Sequence, residues 1–526
     1  MKQARYEMHK YWGKKPSSTL NDLLEKYSQE QDIVLDPFSG YGVFICEALI
    51  YNRNVISNDL NPVSNFIQKQ LLEKDFDLKK LTKLAKEIIE ELEKSINYLY
   101  EIQCPNCNNK KALSISILRN KNNLPLKSKT KCSCTKIVIE HDLSLSEKNK
   151  IIEIEKNIKI PTHPNSKIFH NSRISANKGL ETDDLFTTRA LVANTILFNL
   201  INETDKQYKD LILLAFTSNL ANTSRLVPPI KSRGEMSAGA WMTGFYIGET
   251  YLENNVIHYF KNRISKLISG KKDYLEILNA NHKTLNIKKI NNLSNIDKNS
   301  NFYIIDNYDA KKLPYPDNSI DYVFTDPPYG DSVPYFEQSV IWNTWLNNKV
   351  DYDNEVVISN SSERNKNNKE FFIDIEKCIS EIYRILKPNK FFSITFHSIS
   401  GDEWYSILNA CLKNNFLLEN IEWITQKTFT PRQLNRTKTV KGDMLMTFKK
   451  SSSTNNYRFL NREETINLLI DITKKLIKNN TQANTNDIYM SFIENLFKNH
   501  YIIDNINIID VLNKNFSINE NGLWHI

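Results

Sequence analysis

The chain has 526 residues, enough for roughly two to four domains and a sizeable buried core. Lys and Arg total 69 against 61 Asp and Glu, and the net charge of +8 suits a polyanionic partner without demanding one. No apolar run approaches the roughly 18 residues of a membrane-spanning helix and no signal-peptide pattern opens the sequence, so a cytoplasmic location away from the membrane is expected. In that setting the seven cysteines read as thiols or metal ligands rather than disulfides.

The N-terminal stretch, Tyr6 to Pro16, is basic and aromatic and precedes a helix predicted to begin near Ser17 or Ser18. It reads as a surface arm or as a cover over a bound cofactor. Ile33 to Leu35 form a buried strand, followed by Asp36-Pro37-Phe38-Ser39-Gly40-Tyr41-Gly42 and an apolar helix from Val43 to Ile50. Strand, glycine turn and helix make a nucleotide-binding arrangement, because glycines admit a ligand close to the backbone and a helix N-terminus favours its negative end. A second strand, Val55 to Ser57, ends near Asp59, about where a ribose-binding carboxylate lies, roughly 20 residues after such a turn. Capping a helix is the other reading of Asp59.

From about Asp75 the alternation of strand and helix stops. An amphipathic helix spans about Leu78 to Tyr100 and leads into Cys104-Pro105-Asn106-Cys107, with Cys132-Ser133-Cys134 after a polar, Lys-rich hairpin. Four thiols paired at two tight turns form a zinc-ribbon pattern, although the second pair is one residue short. Four protein ligands leave no open position, so a structural zinc is expected; His141 stands near enough to be a spare ligand. Residues 183 to 270 read as mostly helical, with periodic segments at Leu191 to Leu200, Lys209 to Leu220 and Ile247 to Leu267. Between them Arg225, Lys231 and Arg233 are phosphate contacts or part of a solvated loop, and Trp241, Phe245 and Tyr246 read as core.

Sheet logic resumes at Phe302 to Asp306, followed by Asp309, which can accept from an adenine amino group or cap a turn. The next strand, Tyr322 to Phe324, stops at Thr325-Asp326-Pro327-Pro328-Tyr329-Gly330, where two prolines cannot continue a central ladder. The carboxyl end of a strand in an open α/β sheet is where ligands bind. Asp326 and the Pro327 carbonyl are two acceptors for the hydrogens of an exocyclic nucleobase amine, whose lone pair is delocalised into the ring; Tyr329 can stack on a base turned out of its helix. Pulling the amine towards tetrahedral geometry aims its lone pair at an electrophile. A helix from Phe336 to Leu346, a polar loop at Ser359 to Lys369 predicted to be mobile near the site, a helix from Phe372 to Leu386, a strand from Phe391 to Phe396, a helix from Glu403 to Leu412 and strands at Leu417 to Ile424 and Met444 to Phe448 follow. The remainder reads as a helical tail.

These motifs resemble those of a known family. D-P-F-S-G-Y-G is similar to the cofactor motif of amino DNA methyltransferases and T-D-P-P-Y-G to their catalytic motif, and the chain resembles adenine-specific DNA methylases with a zinc-ribbon insertion. H-K-Y-W-G-K-K-P from His9, D-A-K-K-L-P-Y-P-D-N-S-I-D from Asp309, D-S-V-P-Y-F-E from Asp331 and K-G-D-M-L from Lys441 extend the likeness over about residues 5 to 450. It implies a Rossmann-like α/β fold with an antiparallel last strand, binding S-adenosylmethionine. Residues 1–74 and 301–450 would form the two parts of the methyltransferase domain. Residues 75–300 would be an insertion with a zinc ribbon at about 101–142 and a helical target-recognition region, and 451–526 a helical tail. Carried over by position, Tyr11, Trp12, Asp36, Pro37, Phe38, Gly40, Gly42, Asp59 and Asp309 would bind the cofactor. Asp326, Pro327, Pro328 and Tyr329 would hold the target base, and Cys104, Cys107, Cys132 and Cys134 the zinc. Tyr41 and Val43 depart from the small or hydroxyl residues common there.

The activity implied is methyl transfer to adenine N6 in DNA, in a restriction-modification or defence setting that can include a partner nuclease. Cytosine N4 in DNA and guanine N2 in RNA stay open as alternative targets, as does a non-catalytic recognition subunit. Neither the recognition sequence nor the oligomeric state is legible.

Overall fold

The computed structural model describes residues 3–175, 179–282, 286–296, 300–364, 366–396, 404–424, 442–452, 456–520 and 522–526. The chain opens with α1 (Ser17–Tyr27), β1 (Ile33–Asp36), α2 (Val43–Ile50), β2 (Asn54–Asn58), α3 (Pro62–Leu72) and α4 (Leu78–Ile96). Next come β3 (Glu101–Ile102), β4 (Ala112–Asn120), β5 (Pro125–Lys131), β6 (Ile139–Asp142), α5 (Leu145–Asn157), α6 (Thr188–Asn202), α7 (Lys206–Thr223), β7 (Thr250–Asn254) and α8 (Val256–Asn281). It then returns through β8 (Ile287–Lys289), β9 (Asn301–Asp306), β10 (Ile320–Thr325), α9 (Tyr335–Trp345), α10 (Asn368–Ile385), β11 (Leu386–Phe396), α11 (Trp404–Lys413), β12 (Phe416–Ile424) and β13 (Asp443–Lys450). It closes with α12 (Arg462–Asn480), α13 (Thr485–Asn499) and α14 (Ile508–Asn515).

The main sheet runs in the order β12-β13-β11-β10-β1-β2-β9-β8. Its central strands are apolar at successive positions because both faces are covered. Val34, Val55 and Tyr322 pack into one core and Leu35, Ile56 and Val323 into the other, as the two-residue period of a strand requires. The pairings from β8 to β11 are parallel, whereas β13 is antiparallel to both neighbours, so the sheet has the antiparallel strand that the resemblance implied. β1 pairs with β2 on one side and β10 on the other, so the chain's progress across the sheet reverses there and leaves a crevice at the carboxyl ends.

The insertion is less simply helical than expected. Residues 250–254, expected inside a helix from Ile247, form β7, which pairs antiparallel with β4 and ties the cysteine-bearing sheet to the helices; α8 begins only at Val256. The reason is a buried charge cluster at that join. Arg119 on β4 and Arg189 on α6 each reach Glu253 on β7 at 2.6 Å, and Arg119 also meets Glu155 on α5 at 2.9 Å. A helix through Glu253 would remove the edge on which this cluster is built. Leu214 and Phe216 of α7 share one core with Phe44 of α2 and Trp342 of α9, so insertion and sheet are packed as one body of side chains.

The tail is not helical throughout, since Arg458–Leu460 pairs with Tyr501–Ile503 in a short parallel ribbon. It packs on the sheet, with Phe497 of α13 against Phe448 of β13 at 5.2 Å between ring centroids. Among the described residues no helix is long and apolar enough to cross a membrane.

Candidate active site

Every residue expected to hold a cofactor, from Tyr11 to Asp309, lines one cleft of about 900 Å³, open solvent at its mouth included. Gly40 and Gly42 have φ of +51° and +91°. A Cβ on Gly42 would stand 2.9 Å from Gln68 Cγ, and one on Gly40 would stand 3.3 Å from the Tyr11 ring, so the turn admits only glycine and keeps its backbone bare. Asp59 fastens the turn: one oxygen accepts from the Gly40 N–H at 2.7 Å and the other from the Asn61 N–H at 2.8 Å. Burial pushes its carboxyl up to about 6 against those bonds. Asp36 accepts from the Phe38 N–H and the Thr325 hydroxyl, and burial raises it well above the carboxylate range. Asp309 both lines the cleft and caps its own turn by accepting from the Lys311 N–H at 2.9 Å.

The arm lies over this cleft. Tyr11 stacks with Tyr335 at 6.2 Å, and Trp12 packs against Trp342 at 5.3 Å and Trp241 at 6.1 Å. Trp241 and Phe245 are core, as expected, but Tyr246 is 52% exposed. Tyr41 is turned out of the turn towards the arm, donating to the Arg5 carbonyl at 3.1 Å beneath the Lys14 ammonium, 3.5 Å from its ring centroid. Lys14, donating to the Tyr6 and His9 carbonyls, is brought down by burial to about 7. The large side chain at this departure from the family pattern is therefore an anchor for the arm.

At the end of β10, Asp326 Oδ1 accepts from the Thr395 hydroxyl at 2.7 Å, from Lys15 Nζ at 3.1 Å and from the Tyr329 hydroxyl. Lys15 also bonds Asp443 at 2.7 Å and the Tyr329 hydroxyl at 3.1 Å. Burial raises the Asp326 carboxyl and Lys15, Tyr329 and Thr395 oppose it; Lys15 is itself raised, since Asp326 and Asp443 outweigh its desolvation. Oδ2 faces Gly13, where a Cβ would stand 3.7 Å away. Asp326 and Pro328 line the cleft, whereas Pro327 is buried. The Tyr329 hydroxyl is turned back on Asp326 and its ring meets Phe396 edge-on at 5.3 Å, so stacking on a base requires the ring to swing outward.

Lys15, Thr395 and Asp443 were not singled out in the sequence. Lys15 and Asp443 lie in segments quoted for the resemblance, H-K-Y-W-G-K-K-P and K-G-D-M-L, whose Lys441 lies outside the described residues. Strand register supplies what was missing: Thr395 pairs with Leu445 and Phe396 with Met444, which sets Asp443 at the end of β11, the strand between β13 and β10.

Away from the cleft, the sulfur atoms of Cys104, Cys107, Cys132 and Cys134 all lie within 4.8 Å of one another. Two contacts, Cys104 to Cys134 at 3.6 Å and Cys107 to Cys132 at 3.7 Å, approach the edge of a tetrahedron whose corners stand about 2.3 Å from its centre, the Zn–S bond length. They are far longer than a disulfide. His141 bonds the Thr130 hydroxyl at 3.0 Å and is not in the cluster. Arg225 is half-buried, donating to the Asp184 carbonyl and standing over the Tyr251 ring, while Arg233 is exposed and the Lys231 side chain lies outside what the structure describes. In the polar loop, where Asn365 lies outside the described residues, Ser359 bridges Lys366 and Arg364 is buried.

The sequence family described as DNA methylase, of the N6/N4 methyltransferases, matches residues 2–65, which hold the arm, the glycine turn and Asp59 but stop short of Asp326. No curated protein matches the chain. Among solved structures, one from Thermus thermophilus described as a DNA modification methylase is 13% identical, covering 32% of this chain and 71% of its own, with a TM-score of 0.18. A methyltransferase from Methanosarcina mazei described as S-adenosylmethionine-dependent is 11% identical, covering 29% of this chain and 69% of its own, with a TM-score of 0.17.

Proposed function

We propose that this protein transfers a methyl group from S-adenosylmethionine to the N6 amino group of adenine in DNA. The observation that carries the reading is that the glycine turn and Asp326 open on one cleft, at the strand reversal between β1 and β10. The match of residues 2–65 to DNA methylases supports it. The bare backbone of Gly40 and Gly42 fits a ligand laid close over the turn, and the carboxyl oxygens of Asp36, Asp59 and Asp309, spaced along the edge, fit as acceptors for its ammonium, ribose hydroxyls and adenine amino group.

Bound S-adenosylmethionine supplies a methyl group on a sulfonium, ready for in-line displacement. The protein's part is positioning. Lys15, Thr395 and Tyr329 fix Asp326 through Oδ1 and leave Oδ2 to accept an N–H of the target amine, with the Pro327 carbonyl as the second acceptor. As the nitrogen gains the methyl group it sheds a proton, which Asp326 Oδ2 takes; its raised affinity for protons suits that step. Aspartate at the head of the motif supports adenine over cytosine. The insertion then serves target recognition, zinc holds its cysteine sheet together, and a restriction or defence assembly with a nuclease is the setting we assign.

The test is to incubate the protein with methyl-labelled S-adenosylmethionine and, separately, unmethylated duplex DNA and total RNA, then digest to nucleosides. Labelled N6-methyladenine from DNA is expected. Label in cytosine or in RNA guanine would move the target to an alternative, and no label with cofactor bound would contradict transfer.

A further inference from the structure

Glu355 belongs to the wall of the cleft, yet it is 5% exposed. Its segment faces the same space as Tyr308, Asp309 and Ala310 at the carboxyl end of β9, and Lys311 clips the two together by donating to the Asn354 carbonyl at 2.9 Å. The carboxyl end of β9 is set apart from Asp326 by β1 and β2, which lie between β10 and β9.

The charges around Glu355 do not balance. Arg364 stands 2.5 Å from Glu355 and 2.8 Å from Glu337, so one guanidinium serves two buried carboxylates, and neither Glu337 Oε2 nor Glu355 Oε2 has a hydrogen bond of good geometry among the described residues. Two carboxylates sharing one cation in a buried site relieve the excess charge by binding a proton. Burial, opposed by Arg364 and seconded by Glu337, pushes the Glu355 carboxyl up to about 8.

We infer that Glu355, carrying a proton, is a binding residue for the cofactor's adenine, its carboxyl O–H donating to a ring nitrogen. The inference rests on the cofactor reading above. Adenine's ring nitrogens are acceptors that a carboxylate would repel and a neutral carboxyl can meet. Asp309, on the facing segment, supplies the complementary acceptor for the amino group. The pair would read the adenine edge as one donor and one acceptor.

The test is calorimetric binding of 5′-methylthioadenosine, which keeps the adenine and lacks the titrating amino-acid groups, alongside S-adenosylhomocysteine, at pH 7 and pH 9. Wild type is compared with Glu355→Gln and Glu355→Ala. The groups facing Glu355, namely Arg364, Glu337, Tyr352, Tyr335, Asp309 and Lys311, are unchanged in the glutamine variant, so the difference between it and wild type isolates Glu355. Wild-type affinity for 5′-methylthioadenosine should fall about tenfold between the two pH values as the carboxyl ionises. Glu355→Gln, whose amide donates at any pH, should bind at both pH values as wild type does at pH 7. Glu355→Ala should lose about tenfold or more for both ligands at pH 7. A parallel fall in wild type and Glu355→Gln, or undiminished binding by Glu355→Ala, would overturn the inference. Wild type binding neither ligand would defeat the cofactor reading and this one together, whereas equal binding by all three proteins defeats this one alone.

Discussion

Lys15 Nζ stands 3.1 Å from Asp326 Oδ1 and 2.7 Å from Asp443 Oδ2, so one ammonium from the arm joins the carboxylate after β10 to the carboxylate that begins β13. The arm is thereby part of the site. Lys15→Met would take from two carboxylates, 18% and 6% exposed, the ammonium they share. Removing one partner of a buried ion group typically costs about 3–5 kcal/mol, and urea denaturation should show a loss of that order. Adding Asp443→Asn should restore part of it. A stability within about 0.5 kcal/mol of wild type would show that the ammonium is dispensable.

The glycine turn admits a sharper test. Gly42→Ala forces a Cβ to within 2.9 Å of Gln68 Cγ at φ +91°, and should cost about 1–3 kcal/mol of stability. Binding of S-adenosylhomocysteine should weaken in the same variant, because the turn must shift. Unaltered melting and affinity would mean that the turn is not the cofactor's cradle.

For the cysteine cluster, metal analysis of protein purified without chelators should find about one zinc per chain. Cys104→Ser should lose the metal and lower the melting temperature, and a strong chelator should do the same to wild type. Full thermal stability in metal-free protein would refute a structural zinc.

The cluster around Glu253 predicts a pH dependence. Burial opposes its charge, but Arg119 and Arg189 outweigh that and hold its carboxyl below the ordinary value. A depressed carboxylate contributes stability that is present above its unfolded value and lost as pH falls through the folded one. Glu253→Gln should therefore be less stable than wild type at pH 7, by about 3 kcal/mol, with the gap closing as pH drops below the ordinary carboxylate range. A gap independent of pH would assign the loss to packing.

Much of the sheet was legible because its strands are short apolar runs, two of them stopped by proline, and the helix α4 because Leu81, Ala85, Ile88, Leu92 and Ile96 recur at helical spacing. The turn at Gly40 and Gly42 and the loop at Asp326 were legible for the same reason: both sit where a strand stops. β7 was not, since Thr250 to Asn254 has no apolar alternation and is held by the ion cluster that Arg119 and Arg189 bring from elsewhere in the chain. Lys15 and Asp443 were hidden similarly, because a lysine in a basic arm carries no mark of the carboxylates it will meet. Arg225 shows the converse: a basic residue shortly before a Pro-Pro pair looks solvated until the carbonyl and ring that it meets are in place.

Asp326 is assigned to the target amine, and cofactor binding to the rest of the cleft. The most direct test of that division is Asp326→Ala, measured for S-adenosylhomocysteine affinity by calorimetry and for single-turnover methyl transfer to duplex DNA. Transfer should fall by about a thousandfold or more while affinity changes less than about threefold, as for loss of a group engaged with the reacting atoms. Equal losses in both, or transfer within about tenfold of wild type, would contradict the role assigned to Asp326.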